Sequence, residues 1–369
     1  MYSANGYKNM KQKNKIKIVF ILPHLKAGGA ERVVSYLFVQ LDRSLFDPYL
    51  LVIGYKHESH YTLNEKNIIY LNKKKLRLAL LSIPKKIYEI KPSIIFSSIG
   101  HINLFLGGLK LFFPKIKFIA REASVYSKMM DYNNRKQLPK IILKLFYQRL
   151  DAFVYQSQDM KIDFEKTFSI DPTKGYLIHN PITFPPKKVT KTKPGKSSLF
   201  KFIIVGSLVK NKGHERVIKL FEKANFDFTL DIVGEGPLRQ RLTELLINSP
   251  IANKVFFKGL QKRMDLVYEG TDYLIQGSFV EGFPNVVLEA LSHGIPCIIF
   301  DAPGGHRELI NEGKNGFYIY NAEKANTVLE KAVHYPWDSN SIQKDAFNRF
   351  GSHKILTQYE LMFNHSLKK

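Results

Sequence analysis

Residues 181–198 read Pro-Ile-Thr-Phe-Pro-Pro-Lys-Lys-Val-Thr-Lys-Thr-Lys-Pro-Gly-Lys-Ser-Ser. Four prolines and the lack of any hydrophobic period mark a linker, bounded here as 183–198. On its N-terminal side, short apolar runs alternate with helical spacing. Expected strands there are Ile16–Leu22, Tyr49–Tyr55, Ser93–Ser97, Lys117–Arg121, Ala152–Gln156 and Tyr176–His179, and helical periodicity covers Glu31–Leu41 and Ile141–Leu150. Beyond the linker the alternation restarts with Phe200–Val205, Phe228–Val233, Lys254–Phe257, Tyr273–Gln276 and Cys297–Phe300. Runs this continuous and β-branched fit strands covered on both faces. Strand–helix alternation builds a parallel sheet with helices on both sides. The expected fold class is therefore α/β: two doubly wound Rossmann-like domains facing across a cleft. They are 15–182 and 199–369, after a polar tail at 1–14, and the last helix is a candidate to cross back to the first domain. Ligands of such sheets sit outside the carboxyl ends of the strands, which puts the expected site in that cleft.

Composition agrees with this division. The chain has 369 residues, 44% hydrophobic and 24% charged, which is globular and too long for one ordinary core. A single cysteine, Cys297, excludes a disulfide framework and a cysteine-based zinc site and points to a reducing compartment. The formal net charge is +24, and it is lopsided. Residues 1–200 hold 35 Lys and Arg against 13 Asp and Glu, and residues 201–369 hold 21 against 19. A basic half implies an anionic partner: a membrane surface, a phosphorylated substrate or nucleic acid. No run reaches the ~20 apolar residues of a spanning helix; the longest, Ser93–Leu109, contains His101 and Asn103. The N-terminus imitates a signal peptide, but its apolar stretch is short and Gly28-Gly29 stand where a cleavage site belongs.

Several loops follow strands and open helices, where backbone N–H groups and the helix dipole favour anions. These are Gly28-Gly29-Ala30-Glu31-Arg32, Gly206-Ser207-Leu208-Val209-Lys210-Asn211-Lys212-Gly213, Gly234-Glu235-Gly236-Pro237 and Asp301-Ala302-Pro303-Gly304-Gly305-His306-Arg307-Glu308. Each taken alone also reads as an ordinary turn. The strongest signal is Ser278-Phe279-Val280-Glu281-Gly282-Phe283-Pro284-Asn285-Val286-Val287-Leu288-Glu289-Ala290. Pro284 suits a first helical turn. Glu289, one turn in among apolar residues, is costly to bury unless something pairs with it, and a sugar hydroxyl is a suitable partner. There is no Asp-x-Asp, no metal-ligand spacing and no G-x-S-x-G elbow.

Taken together and in this order, these motifs resemble those of the retaining glycosyltransferases of family four, which have the two-domain B-type (GT-B) fold and serve bacterial envelope-polysaccharide assembly. The resemblance runs from Ile16 to about Tyr335 and includes the Glu-x7-Glu pair Glu281 and Glu289. It implies that the C-terminal domain binds a nucleotide sugar, with a UDP-sugar the expected donor, and that the N-terminal domain binds the acceptor. By the same resemblance Glu289 holds the ribose hydroxyls and Glu281 lies near the donor sugar. Gly282, Phe283 and Pro284 turn beside the sugar and diphosphate, with the amide of Asn285 alongside. Lys212 binds the diphosphate, Gly28 and Gly29 let the N-terminal loop approach the donor, and Ser207, Gly234 and Gly236 complete the donor loops. Glu281 and Lys212 are the catalytic candidates. The resemblance is imperfect at two points. Ser207 stands where an arginine is common, and Arg121 with Glu122, or else His101, stands where members carry a histidine.

The expected reaction retains anomeric configuration by a front-face route, with no cofactor and no metal; fixed cations and helix N-termini stabilise the leaving diphosphate. Expected partners are the nucleotide-sugar donor, a lipid-linked or saccharide acceptor and an anionic membrane surface, without nucleic acid. The expected location is cytoplasmic, on the inner face of the plasma membrane. Residues 135–150 mix cations with Ile141, Ile142, Leu145 and Phe146 at helical spacing, as a membrane-surface helix does. The same residues also fit a helix packed on the sheet with its lysines solvated. The basic half is open to either membrane or acceptor. A nucleotide-sugar epimerase of the same fold and a basic nucleic-acid-binding protein are the competing readings.

Overall fold

A computed structural model of the chain describes residues 15–26, 28–60, 63, 66–133, 139–183 and 199–368. The expected tail at 1–14 and linker residues 184–198 lie outside them, as does the start of the basic stretch at 134–138.

Thirteen strands form among the described residues. They are β1 (Ile16–Leu22), β2 (Phe46–Val52), β3 (Ile68–Tyr70), β4 (Ile94–Ser97), β5 (Lys117–Arg121), β6 (Ala152–Tyr155), β7 (Gly175–Leu177), β8 (Leu199–Val205), β9 (Asp227–Val233), β10 (Val255–Gly259), β11 (Tyr273–Gln276), β12 (Cys297–Phe300) and β13 (Gly316–Ile319). A seven-stranded sheet runs in the order β3-β2-β1-β4-β5-β6-β7, and a six-stranded sheet in the order β10-β9-β8-β11-β12-β13. Pairing is parallel from β3 to β5 in the first sheet and throughout the second. In each sheet the first strand is central and the order reverses beside it, so both are doubly wound. The central strands are apolar on both faces: Ile18 to Leu22 of β1 are fully buried, as are all four residues of β12.

Four strands fall where the hydrophobic runs place them residue for residue: β1, β5, β11 and β12. The run Tyr49–Tyr55 starts three residues late, because β2 begins at Phe46 opposite Ile16. Strands β3 and β13 were not expected. Each lies at an edge of its sheet.

The chain divides into two compact units. One takes the described residues of Met1–Arg121, Ile141–Phe153 and Glu360–Lys369, and the other those of Glu122–Lys140 and Val154–Tyr359. In the first, the last helix, Ser352–Lys368, contributes Phe363, whose ring meets Phe20, Phe46 and Phe96 edge-on with centroids 5.7–6.3 Å apart. In the second, helices begin on side-chain caps. Ser157 accepts from the Met160 amide ahead of Gln158–Phe168, and Asp338 accepts from Asn340 and Ser341 ahead of Ser339–Phe350. Pro284 is not in the first turn but immediately ahead of it, as the extended cap of helix Asn285–Ser292.

Phe363 is fully buried among three other rings. Replacing it with alanine is expected to destabilise the protein by about 3–5 kcal/mol, through lost burial and an unfilled cavity. A denaturant titration of the full chain measures this, and a change under about 1 kcal/mol would show that the ring cluster is not a structural anchor.

Candidate active site

The best-defined cluster lies at the carboxyl ends of β8, β9, β11 and β12, within the second unit. After β8 the chain turns at Gly206 and descends through a short 3-10 turn, Lys210–Lys212, into helix His214–Phe221. Three main-chain hydrogen bonds hold this loop. The Gly206 and Leu208 amides donate to Val233 and Glu235 carbonyls at 2.9 and 3.0 Å, and the Leu238 amide donates to Leu208 at 3.0 Å. Gly234 has φ +139°, and a Cβ there would collide with the Gly206 carbonyl. Gly213 has φ +66° and lies against the Gly277 carbonyl in the same way, so the loops after β8 and β11 meet backbone to backbone.

Glu281 sits where these loops converge. It is 9% exposed, and its Oε1 accepts from Lys212 Nζ at 2.5 Å, Ser278 Oγ at 2.6 Å and Gln276 Nε2 at 3.0 Å. All three donors reach Oε1; among the described residues none donates to Oε2. Burial alone would raise the Glu281 carboxyl, but the Lys212 charge and hydrogen bond, the Ser278 hydroxyl and nearby His306 outweigh it and leave it below the ordinary range. Lys212 spends one of its three N–H donors here, and two remain for another anion among the described residues. His214, buried beside Lys212, is drawn down to about 4 by burial and the Lys212 charge, so it is neutral at pH 7.

The loop 277–283 is pinned from several sides. Arg216 donates through Nε to Gly277 O at 2.6 Å and through Nη2 to Ser278 O, and lies over the Phe279 and Phe300 rings at 4.0 and 4.1 Å. Burial lowers Arg216 to about 10, which still leaves it charged. The Phe279 amide donates to Asn211, the Glu281 amide to Pro303 and the Gly305 amide to Gly282. Phe283 stacks on His179 with centroids 5.2 Å apart, and Asn180 Nδ2 donates to Asn285 Oδ1 at 2.6 Å. Glu289 is buried, and Tyr268 OH donates to its Oε2 at 3.0 Å. The pairing that its burial demands is thus met in part by a phenol.

The structure gathers Ser207, Lys212, Gly234, Gly236, Glu281, Gly282, Phe283, Pro284 and Asn285 along the carboxyl edge of the six-stranded sheet, with Glu289 one turn into the helix that starts there. Gly28 caps helix Gly29–Gln40 in the first unit, where the Glu31 carboxylate presses on it, and Glu31 in turn lies 3.6 Å from His24. Of the three acceptor-side candidates, Arg121 is buried and donates through Nη1 to Ser98 at 2.6 Å, Glu122 is buried, and His101 is exposed. Sequence reasoning did not assign roles to Tyr268, Gln276, Arg216 or His306. Among the described residues no three His, Cys, Asp or Glu side chains gather to hold a metal ion.

Comparison with known proteins places this geometry in a family. Residues 27–183 match "Glycosyltransferase Family 4" and residues 187–349 match "Glycosyl transferases group 1". The chain belongs to the family-four glycosyltransferases. It is an enzyme, a hexosyltransferase of the GT-B fold, which separates it from the epimerase reading. A relative from Campylobacter jejuni, N-acetylgalactosamine-N,N'-diacetylbacillosaminyl-diphospho-undecaprenol 4-alpha-N-acetylgalactosaminyltransferase, is 27% identical over 318 residues, covering 82% of this chain and 86% of its own. Among solved structures, the lipopolysaccharide outer core galactosyltransferase WaaB is similar in fold, with TM-score 0.77, 19% identity and coverage of 95% and 99%. Anabaena HepE in complex with UDP-glucose is likewise similar, with TM-score 0.76, 18% identity and coverage of 95% and 100%.

The depressed Glu281 carboxyl fixes the sign of a pH effect. A group whose folded pKa is lowered stabilises the fold above its unfolded value and loses that contribution as pH falls through the folded one. Wild type should therefore exceed Glu281→Gln in stability by about 2 kcal/mol at pH 7, and the gap should close as pH falls below 4.5. Denaturant titrations of both proteins from pH 7 to pH 3 measure it; a gap independent of pH would assign the loss to packing.

Proposed function

We propose that this glycosyltransferase moves a sugar from a nucleoside-diphosphate-sugar, with UDP-sugar the first choice, to a lipid-linked saccharide acceptor in bacterial envelope-glycan assembly, with retention of configuration and without a metal. The observation that carries the reading is the buried Glu281 carboxylate, loaded on one oxygen and beside a lysine with unspent donors, on loops laced by main-chain hydrogen bonds. Such a site matches a ligand with a sugar hydroxyl at one end and a diphosphate at the other. Lys212 meets the diphosphate, Glu281 orients the sugar and Glu289 takes the ribose diol. The acceptor is assigned to the N-terminal domain. The lipid-linked acceptor is supported by the diphospho-undecaprenol in the name of the Campylobacter relative, and the envelope role by the lipopolysaccharide enzyme of the same fold. Developing charge on the leaving diphosphate is met by the Lys212 ammonium and by fixed amides, which need no reorganisation during the reaction.

Membrane docking belongs to the same reading. No helix among the described residues is long and apolar enough to cross a membrane. In helix Lys140–Gln148, Leu143 and Tyr147 are buried, whereas Ile141 is 76% and Leu145 52% exposed. The alternative of a helix whose apolar residues all pack inward is thus not what forms. The exposed pair lies between Lys140, Lys144 and Arg149, in the chain half that carries the charge excess, and exposed Leu111 and Phe112 follow helix Gly100–Leu109 in the same unit. Aliphatic side chains flanked by cations suit the headgroup boundary of an anionic bilayer.

Turnover, donor affinity and vesicle binding test the reading. A panel of nucleotide sugars with a polyprenyl-diphosphate acceptor should give turnover that survives EDTA, and Glu289→Ala should weaken donor binding in calorimetry by about 1.5–3 kcal/mol; metal-dependent turnover or unchanged affinity in the folded variant would remove those assignments. Vesicles containing anionic lipid should sediment the full chain. Lys140→Glu with Lys144→Glu should reduce that binding by about 1 kcal/mol per charge, and Ile141→Ser with Leu145→Ser should make what remains releasable by salt. Equal sedimentation of all three proteins would take docking away from this helix, and none by wild type would leave the basic half to the acceptor.

A further inference from the structure

Two buried polar residues beneath Glu281 have no role in the reaction as described above. Gln276 ends β11 at 4% exposure, and His306 begins helix His306–Leu309 at 0%. Their hydrogen bonds have one direction. Gln276 Nε2 lies 3.0 Å from Glu281 Oε1, and an ionised carboxylate only accepts, so the amide nitrogen must face it. That orientation turns Gln276 Oε1 toward His306 Nε2, 3.0 Å away. A carbonyl oxygen only accepts, so His306 Nε2 carries a proton. His306 is in turn fixed at its backbone, where Tyr318 OH donates to its carbonyl at 2.9 Å, and its Nδ1 lies 3.3 Å from Ala302 O. The result is a chain of donors running from His306 through Gln276 to Glu281.

Burying an amide and an imidazole costs more than burying aliphatic side chains of the same size unless both are satisfied. Here the amide is satisfied by Glu281 and His306 and the imidazole by Gln276 at Nε2, while Nδ1 meets the Ala302 carbonyl as a hydrogen bond only when it too is protonated. With Lys212 and Ser278 also on Oε1, the third donor comes from the core side and fixes the rotation of the carboxylate, leaving Oε2 as the accepting oxygen. We propose that His306 and Gln276 are positioning residues that hold Glu281 so that Oε2 is presented to a hydroxyl of the donor sugar. The proposal rests on the reading that Glu281 meets the sugar of a nucleotide donor.

The first test needs no ligand. In the full chain labelled with ¹⁵N-histidine, the His306 resonances are identified by their loss in His306→Gln. His306 should carry its proton on Nε2, and Gln276→Leu should move it to Nδ1, toward the Ala302 carbonyl. A wild-type His306 protonated only on Nδ1 would overturn the relay. The second test compares UDP with the UDP-sugar that binds wild type best. His306→Leu and Gln276→Leu should each weaken the UDP-sugar about tenfold while leaving UDP within about twofold, and the double variant should lose little more than either one. His306→Gln, which retains a donor, should recover most of the loss. An equal fall for UDP and UDP-sugar, or a lowered melting temperature with the ratio unchanged, would make the pair a packing feature and overturn the positioning role. If no UDP-sugar binds wild type above UDP, the donor reading itself fails and the assignment of Oε2 to a sugar hydroxyl falls with it, while the tautomer still decides whether the relay exists.

Discussion

Glu281 is a carboxylate taken almost entirely out of water. Left alone it would cost several kcal/mol and would neutralise itself by taking up a proton. It does neither, because Lys212, Ser278 and Gln276 converge on one of its oxygens. Those three donors come from the loop after β8, the loop after β11 and the end of β11 itself. The amide of Glu281 is tied to Pro303 on the loop after β12. One buried charge thus gives three loops a common reason to hold their positions. A buried ion pair of this kind is weak as a source of stability, since an apolar replacement would cost less desolvation. Its value lies in specificity of geometry: each donor has only one place to be.

The main chain supplies the rest of the rigidity. Where Gly213 meets the Gly277 carbonyl and Gly234 meets that of Gly206, no side chain fits between the loops. With glycine at these contacts, the loops put no side chain between their backbones. That suits recognition of a diphosphate, whose oxygens are equivalent and need donors more than shape. The family resemblance sets an arginine at the position of Ser207, which is uncharged here. Arg216, the nearest other guanidinium on this loop and helix, is spent on the Gly277 and Ser278 carbonyls and on two aromatic faces. It holds the loop in shape, and Lys212 is left as the cation with donors to spare.

How much of this could be read from the sequence depends on the range of the interaction. The central strands were legible because a strand buried on both faces carries a continuous apolar run, as residues 18–22 of β1, 118–120 of β5, 273–275 of β11 and the whole of β12 do. Edge strand β3 is only half-buried and shows no such run, whereas β13 is buried at all four positions but was not read as a strand. The Glu281–Glu289 spacing and the Gly-rich turns were legible as local motifs. The partners of those glutamates were not. Tyr268 lies 21 residues from Glu289, and His306 lies 30 from Gln276, and each sits in a stretch that reads as ordinary helix or turn. Nothing local distinguishes a tyrosine that donates to a buried carboxylate from one that packs in a core. A hint was available at Gln276: a polar residue closing a run of strand residues that are otherwise apolar needs a partner, and a buried glutamate five residues later is a candidate.

Helix Lys140–Gln148 poses the opposite problem, because its apolar content exceeds what one face can bury. Leu143 and Tyr147, four apart, face inward, and with Leu150 beyond them they use the side of the helix that the core can cover. Ile141 and Leu145, also four apart, make a second stripe on the solvent side. Burying each of these side chains would be worth about 1.5–3 kcal/mol, so leaving both exposed forgoes a sizeable stabilisation. A helix that served only the fold would gain from polar residues there, as the exposed faces of soluble helices usually carry. The lysines do not cancel this cost; under the proposed docking they would favour an anionic surface over a neutral apolar one. Charge brings the surface near over a Debye length, and the aliphatic pair holds it only at contact. Association should accordingly have two separable parts, long-range attraction that salt removes and apolar insertion that it does not.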